Sequence, residues 1–239
     1  MTRILSIVAF VILTLCLVVA LCFREYYRKG KIQRLDNCNM DFSTSTLQGK
    51  KNPLLLIGDS RVYSLAYHWS PEFYEVVNFG EPGETTPELL CRFKKGVPRY
   101  NELVTVILQA GINDLVTASL LRGPQREHVE KSAAENFIKL ANAMARQGHR
   151  VIVLTVIPPI DIDPVRRFLW GSDIEKSVQE LNQEIQARLA EEISIIDIKP
   201  IFWDEPESRW KKDFSLDALH WNEKGYEMIV EELNKAIYN

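Results

Sequence analysis

The chain has 239 residues, 46% of them hydrophobic, and a formal net charge of -3. That length supplies one compact domain with a real core and leaves some chain to spare. Carboxylates dilute the basic residues throughout, and the one basic cluster stands beside an apolar run, which argues against nucleic acid as a partner.

Residues 4–23 form an uncharged run rich in Leu, Val and Ile. As a helix rising about 1.5 Å per residue it spans roughly the 30 Å hydrocarbon core of a bilayer. A soluble helix rarely stays apolar on every face for that long, so residues 1–23 read as a membrane anchor or signal segment. Ala20 and Cys22 make a poor small-x-small cleavage site, and no small residue precedes Cys16 or Cys22 as a lipoprotein signal needs. The reading is therefore an uncleaved, single-pass anchor. Its orientation stays open. Arg24, Arg28, Lys29, Lys31 and Arg34 follow the run and only Arg3 precedes it, which by the positive-inside rule favours a cytoplasmic domain. A very short tail before a long apolar core also resembles an export signal, which favours the opposite side.

Residues 24–52 are basic at first, then pass through Ser43-Thr44-Ser45-Thr46 and Lys50-Lys51 without periodicity, as a juxtamembrane tether would. The folded domain is expected over 53–239. Short apolar runs at 54–57, 74–77, 104–108, 151–157 and 193–196 predict buried strands. Helical spacing of apolar residues predicts helices over 127–147, 173–192 and 222–238. Alternation of this kind implies a parallel sheet with helices on both faces. Two expected loops, 158–171 and 199–216, hold Phe168, Trp170, Phe202, Trp203, Trp210 and Phe214. Such aromatics either plug the core, the commoner use, or line an apolar substrate groove. Cys38 and Cys91 have no metal-ligand spacing; they either pair or stay reduced, and the unpaired reading is the slightly better one.

Four short runs carry the chemistry: Gly58-Asp59-Ser60-Arg61, Asn78 to Gly83, Gly111-Ile112-Asn113-Asp114 and Asp217-Ala218-Leu219-His220. The first three follow the first three predicted strands, where open α/β sheets bind ligands. A strand-to-helix turn at Gly58-Asp59-Ser60 lifts a serine hydroxyl above the sheet, although Asp-Ser is also an ordinary helix cap. Of His68, His128, His149 and His220, only His220 has a carboxylate three residues earlier, Asp217, placed to accept its Nδ1 proton and leave Nε2 facing the serine. The backbone N–H groups of Ser60 and Gly83 and the side-chain amide of Asn113 are candidate donors to an oxyanion.

These blocks resemble the SGNH hydrolases, also called the GDSL esterase and lipase family, over about residues 53–239. The likeness rests on Ser60 in Gly-Asp-Ser, Gly83 in Asn-Phe-Gly-Glu-Pro-Gly-Glu-Thr-Thr, Asn113 in Gly-Ile-Asn-Asp, and His220 with Asp217. It extends to Pro158-Pro159 and to Trp221-Asn222-Glu223-Lys224-Gly225-Tyr226. Arg61 departs from it, since the family often has a small or hydrophobic residue there. The resemblance implies a flavodoxin-like three-layer α/β/α sandwich with about five parallel strands. It also implies hydrolysis of a carboxylic ester through an acyl-serine, with no metal or organic cofactor. Ser60, Asp217 and His220 would be catalytic, with an oxyanion hole at Ser60, Gly83 and Asn113. The aromatic loops and the anchor suit a lipid ester, and a polar entrance around Arg61 and Glu84 suits an O-acetylated glycan. Acyl transfer to an envelope glycan and a catalytically silent binding module are the alternatives. Oligomeric state is not readable from the chain.

Overall fold

The computed structural model describes residues 2–36, 51–96, 103–171 and 173–238. Five strands form one sheet: β1 (Pro53–Gly58), β2 (Glu75–Gly80), β3 (Thr105–Gln109), β4 (Arg150–Leu154) and β5 (Ser194–Ile196). All pair in parallel, in the order β2-β1-β3-β4-β5. This is the flavodoxin-like doubly wound order, with its switch point between β1 and β3. Both central strands are buried at every position, as strands covered on two faces must be.

Side chains two residues apart along a strand share a face. Leu55 and Ile57 of β1 therefore join Leu108 and Val153 under α3 (Thr86–Gly96), α4 (Ile112–Ala118), α5 (Pro124–Arg146) and α7 (Ile174–Arg188). Leu54 and Leu56 join Ile107 and Ile152 on the other face, under α2 (Ser60–Leu65), α8 (Lys199–Phe202) and α9 (Glu223–Tyr238). The expected three-layer sandwich is the observed one.

Some boundaries differ for physical reasons. β2 runs on to Gly80 through polar Asn78, whose side chain donates to the Tyr63 carbonyl at 2.9 Å and accepts from the Gly80 N–H at 2.9 Å. β4 stops at Leu154, short of the expected 157, because Asn182 takes over the backbone of Val156 in both directions, at 2.9 and 2.8 Å. The expected loop 158–171 contains a short helix, α6 (Pro164–Leu169), capped by Asp163. The loop 199–216 contains α8 and a two-stranded hairpin, β6 (Trp203–Asp204) with β7 (Arg209–Trp210). Of their aromatics, Phe202 and Trp170 plug the core, while Phe168 is 43% exposed.

The N-terminal helix α1 spans Thr2–Leu35. Its stretch Ser6–Leu35 is long and apolar enough to cross a membrane, with an 18-residue window of mean hydropathy 3.0, a signature that export signals share. The tether expected from Arg24 is instead helical as far as Leu35. Its basic residues are interleaved with Tyr27, Ile32 and Leu35, an apolar stripe that packs on the domain. Ile32 and Leu35 contact the Ala118, Leu121 and Val129 cluster, and Tyr27 accepts a hydrogen bond from the Trp170 indole at 2.9 Å. Cys91 is disulfide-bonded, contrary to the slight preference for a free thiol. Cys38 and the rest of 37–50 lie outside the described residues.

Candidate active site

The register of the sheet builds the site. Gly58 pairs with Gly80 on one side and with Gln109 on the other, so β1, β2 and β3 end at one level. Ser60, Gly83 and Asn113 follow within a few residues at that carboxyl edge. Gly58 has φ +150° and lies against the Gln109 carbonyl, where any Cβ would clash. Only glycine lets the chain turn so tightly out of the strand. Asp59 then caps α2, its carboxylate accepting from the Arg61 N–H at 2.9 Å, and Ser60 opens the helix. Asp59 is buried, which raises its pKa against the opposing pull of Arg61.

His220 Nε2 lies 3.0 Å from Ser60 Oγ. Its Nδ1 lies 3.1 and 3.0 Å from the two oxygens of Asp217. The carboxylate is itself fixed, because Asp217 Oδ1 accepts from the N–H groups of Leu219 at 2.7 Å and His220 at 2.9 Å. Partial burial opposes its charge, but the hydrogen bonds from the His220 ring and these two N–H groups prevail and lower its pKa to about 2. Arg166, on α6, adds a contact to Asp217 Oδ2 at 3.4 Å while pairing with Asp163 at 2.8 Å.

Arg61 is no part of a polar entrance; it turns inward to polar backbone groups. It is 2% exposed and donates to the carbonyls of Leu219 at 2.7 Å and Ile157 at 2.6 Å, with its guanidinium 5.1 Å from the Trp221 ring centre. The residue after Ser60 thus fastens the loop that carries His220. Glu84 is no part of a polar entrance either. It is 1% exposed and pairs with Arg92 at 2.6 Å, and Arg92 also donates to the Phe79 carbonyl at 2.6 Å. Burial pushes the Glu84 pKa up, with Arg92 opposing.

The loop after β2 turns at Gly83, which has φ +75°. Adjacent residues in the first turn of α4 hold it in place. Asn113 Nδ2 donates to the Glu84 carbonyl at 3.1 Å, and Asp114 accepts from the Thr86 N–H at 2.9 Å and its hydroxyl at 2.8 Å. Burial raises the Asp114 pKa to about 7, against the hydrogen bonds from Thr86. From outside, α1 closes the same loop: Arg34 pairs with buried Glu88 at 3.2 Å, and a Cβ on Gly83 would stand 2.5 Å from Arg34 Nη1. Glu88 in turn accepts from the Thr85 N–H at 2.9 Å and hydroxyl at 3.0 Å.

The structure thus brings Ser60, His220 and Asp217 into one hydrogen-bonded relay and sets Asn113, at the start of α4, against the loop that carries Gly83. The other histidines are elsewhere: His68 stacks on Tyr226 with ring centres 4.6 Å apart, His128 lies in α5 and His149 precedes β4. Arg34, Arg166 and Asp114 were not singled out from the sequence. Arg166 follows Asp163 by three residues, a helix-capping spacing that could have revealed α6, whereas Arg34 is one of several cations in a segment without strand or motif. Among the described residues, no group of three or more His, Cys, Asp or Glu is placed to hold a metal ion.

A doubly wound α/β/α sandwich with these blocks at the carboxyl edge of its first three strands is the architecture of the SGNH hydrolases. The chain belongs to the GDSL-like lipase/acylhydrolase family, whose model matches residues 56–228. Several solved structures share the fold at low identity. A GDSL-like lipase from Bacteroides thetaiotaomicron is 21% identical, with TM-score 0.60, over 78% of this chain and 88% of that one. A lipase/acylhydrolase from Enterococcus faecalis is 24% identical, with TM-score 0.53, over 78% and 95%. An acetyl xylan esterase is 18% identical, with TM-score 0.50, over 77% and 99%. No curated protein matches the sequence.

Proposed function

We propose that the chain is a membrane-anchored serine esterase that cleaves a carboxylic ester through an acyl-serine intermediate. The observation that carries this reading is the relay from Ser60 Oγ through His220 to Asp217, with spacings of 3.0 Å and 3.0 to 3.1 Å. His220 Nε2 takes the hydroxyl proton as Ser60 Oγ attacks the ester carbonyl. The oxyanion that forms meets the N–H groups of Ser60 and Gly83 and the amide of Asn113, donors worth roughly 3 to 4 kcal/mol each in comparable sites. His220 then gives its proton to the departing alkoxide, leaving Ser60 acylated. Water repeats the sequence and frees the acid. Asp217 holds the histidine tautomer and stabilises the imidazolium.

The substrate is a lipid acyl ester or an O-acetylated glycan; the likeness to an acetyl xylan esterase is one of fold. The test is labelling of the full chain in detergent with a fluorophosphonate, together with turnover of p-nitrophenyl acetate. Labelling and turnover are expected in the parent chain, with turnover abolished and the protein still folded in Ser60→Ala and His220→Ala. Full activity in either variant, or no labelling of well-folded protein, would overturn the reading and leave a silent module of the same fold.

A further inference from the structure

Next to the site, α6 exposes large apolar side chains. Val165 is 61% exposed and Phe168 43% exposed. Two contacts fix the height of this helix along α1. The guanidinium of Arg24 lies 5.8 Å from the centre of the Phe168 ring, and the Trp170 indole donates to the Tyr27 hydroxyl at 2.9 Å. Arg24 is the first charged residue after the apolar run, so at about 1.5 Å of rise per residue Phe168 stands where the hydrocarbon of a bilayer would end.

Charge points the same way. Arg122 shares a surface cleft with Leu21 and Arg24, and Arg167 is exposed on α6 itself. The nearby carboxylates are already engaged, Glu25 with Arg28 at 2.7 Å and Asp163 with Arg166 at 2.8 Å. Apolar side chains set among arginines that, among the described residues, pair with no carboxylate, at the end of an apolar span, are the composition of an interfacial contact with anionic headgroups. The same helix reaches the chemistry, since Arg166 stands between Val165 and Phe168 in sequence and touches Asp217 at 3.4 Å.

We infer that α6, with Arg24, Arg122 and Arg167, is a membrane-resting lip of the active site, and that the ester cleaved is a lipid ester presented at that surface. This rests on reading residues 4–23 as a retained span and Ser60 as the nucleophile. An acyl chain leaving the bilayer at α6 passes directly to the His220 side of the relay. A glycan substrate gives Val165 and Phe168 no reason to face outward at that height.

The experiment uses the full chain in phosphatidylcholine vesicles with and without phosphatidylglycerol. Val165→Asp and Phe168→Asp are each expected to lower hydrolysis of bilayer-dissolved umbelliferyl palmitate about tenfold, because binding scales with the apolar area inserted. Cleavage of water-soluble umbelliferyl acetate and fluorophosphonate labelling should stay at parent levels. Arg167→Glu should slow palmitate cleavage only where phosphatidylglycerol is present. Independently of activity, a polarity-sensitive dye on Phe168→Cys, in a chain carrying Cys16→Ala and Cys22→Ala, should be quenched by headgroup-level nitroxide lipids. Unquenched dye, or unchanged palmitate rates in both Asp variants, overturns the inference. Quenched dye on a chain that cleaves neither ester overturns the hydrolase reading while the membrane contact stands, and release of the chain by alkaline extraction overturns the span.

Discussion

The two halves of the relay are built in opposite ways. On the serine side the supporting polar groups are nearly all buried: Asp59, Arg61, Glu84, Asn113 and Asp114 are each at most 4% exposed. Arg61, Asn113 and Asp114 reach backbone groups of other segments and Glu84 pairs with Arg92, so the frame is tied to the strand ends. On the histidine side the side chains of His220 and Asp217 are 33% and 32% exposed, and an irregular segment carries them. That segment is held locally, by Leu216 N–H to the His220 carbonyl at 2.9 Å and Ser215 Oγ to the Asp217 carbonyl at 2.6 Å. Longer ties fasten it to the domain: Arg61 to the Leu219 carbonyl at 2.7 Å, the Ile160 N–H to the Ala218 carbonyl at 2.9 Å, and Arg166 to Asp217 at 3.4 Å. Ser60, the proposed nucleophile, is therefore placed by the fold, and His220, the proposed base, is placed by a few bonds reaching across to it.

Removing the orienting carboxylate should have the largest effect. Asp217→Asn is expected to lower kcat about 10⁴-fold, the loss typical when such a histidine takes the wrong tautomer. Its cost in stability should be small. The Asp217 pKa is lowered from 3.8 to about 2, so its contribution is fully present above pH 3.8 and lost as pH falls through 2. Solvent screening at this partly exposed site keeps that contribution to about 1 kcal/mol. Kinetics on a short ester and melting curves across acid pH separate the two effects, and a large stability loss at neutral pH would mean that the histidine side is built into the fold as the serine side is. Arg61→Ala should do the reverse. It leaves two carbonyls and buried Asp59 without their cation, a loss of roughly 3 to 5 kcal/mol, measured by denaturant unfolding. A cost below about 1 kcal/mol would mean that the histidine segment is fastened elsewhere.

The same contrast decides how much was legible in the sequence. The serine side follows from local pattern: Leu54 to Ile57 is an apolar run ending in Gly-Asp-Ser, and strand ends collect ligands whatever the side chains do. His220 was recognisable because Asp217 stands three residues before it, a spacing that one turn of chain converts into a contact. The partners of Arg61 were not legible, since Ile157 and Leu219 are roughly a hundred residues and more away and a carbonyl acceptor has no sequence signature. Nor was the helical continuation past Arg24 apparent. Its apolar residues are outnumbered by cations, and the surface that Tyr27 and Ile32 meet exists only once α4 and α5 have packed. Helix α6 was missed because six residues bounded by Pro164 and Trp170 are too few for periodicity to speak.

Titration should distinguish the two sides by sign. Burial raises the Asp114 pKa from 3.8 to about 7, so folding favours its protonated form. The stability it contributes is complete below pH 3.8 and is lost as pH rises through about 7, opposite to Asp217. Asp114→Asn cannot ionise and should flatten the melting temperature between those limits by an amount equivalent to about 2 kcal/mol. Thermal melts of parent and variant over that range give the comparison, and parallel curves would remove Asp114 as the source of the pH dependence.

The smallest expected effect tests whether the serine side ends at the domain or includes α1. Arg34 supports this loop from α1, and its side chain is 34% exposed against 1% for its partner Glu88. Glu88 keeps two hydrogen bonds from Thr85 without it, so Arg34→Ala should unfold nothing. What it loses is the guanidinium against Gly83, whose N–H, on the proposed mechanism, must hold its direction as the oxyanion forms. A donor that loosens without vanishing acts on the transition state and not on the bound ester, so kcat should fall about tenfold with KM unchanged, a fraction of the loss for deleting such a donor outright. Arg34→Lys keeps a cation near Glu88 and should recover part of the rate. If KM rises instead while kcat holds, Arg34 touches the substrate directly. If neither changes, the oxyanion loop is rigid without α1, and the serine side belongs entirely to the sheet.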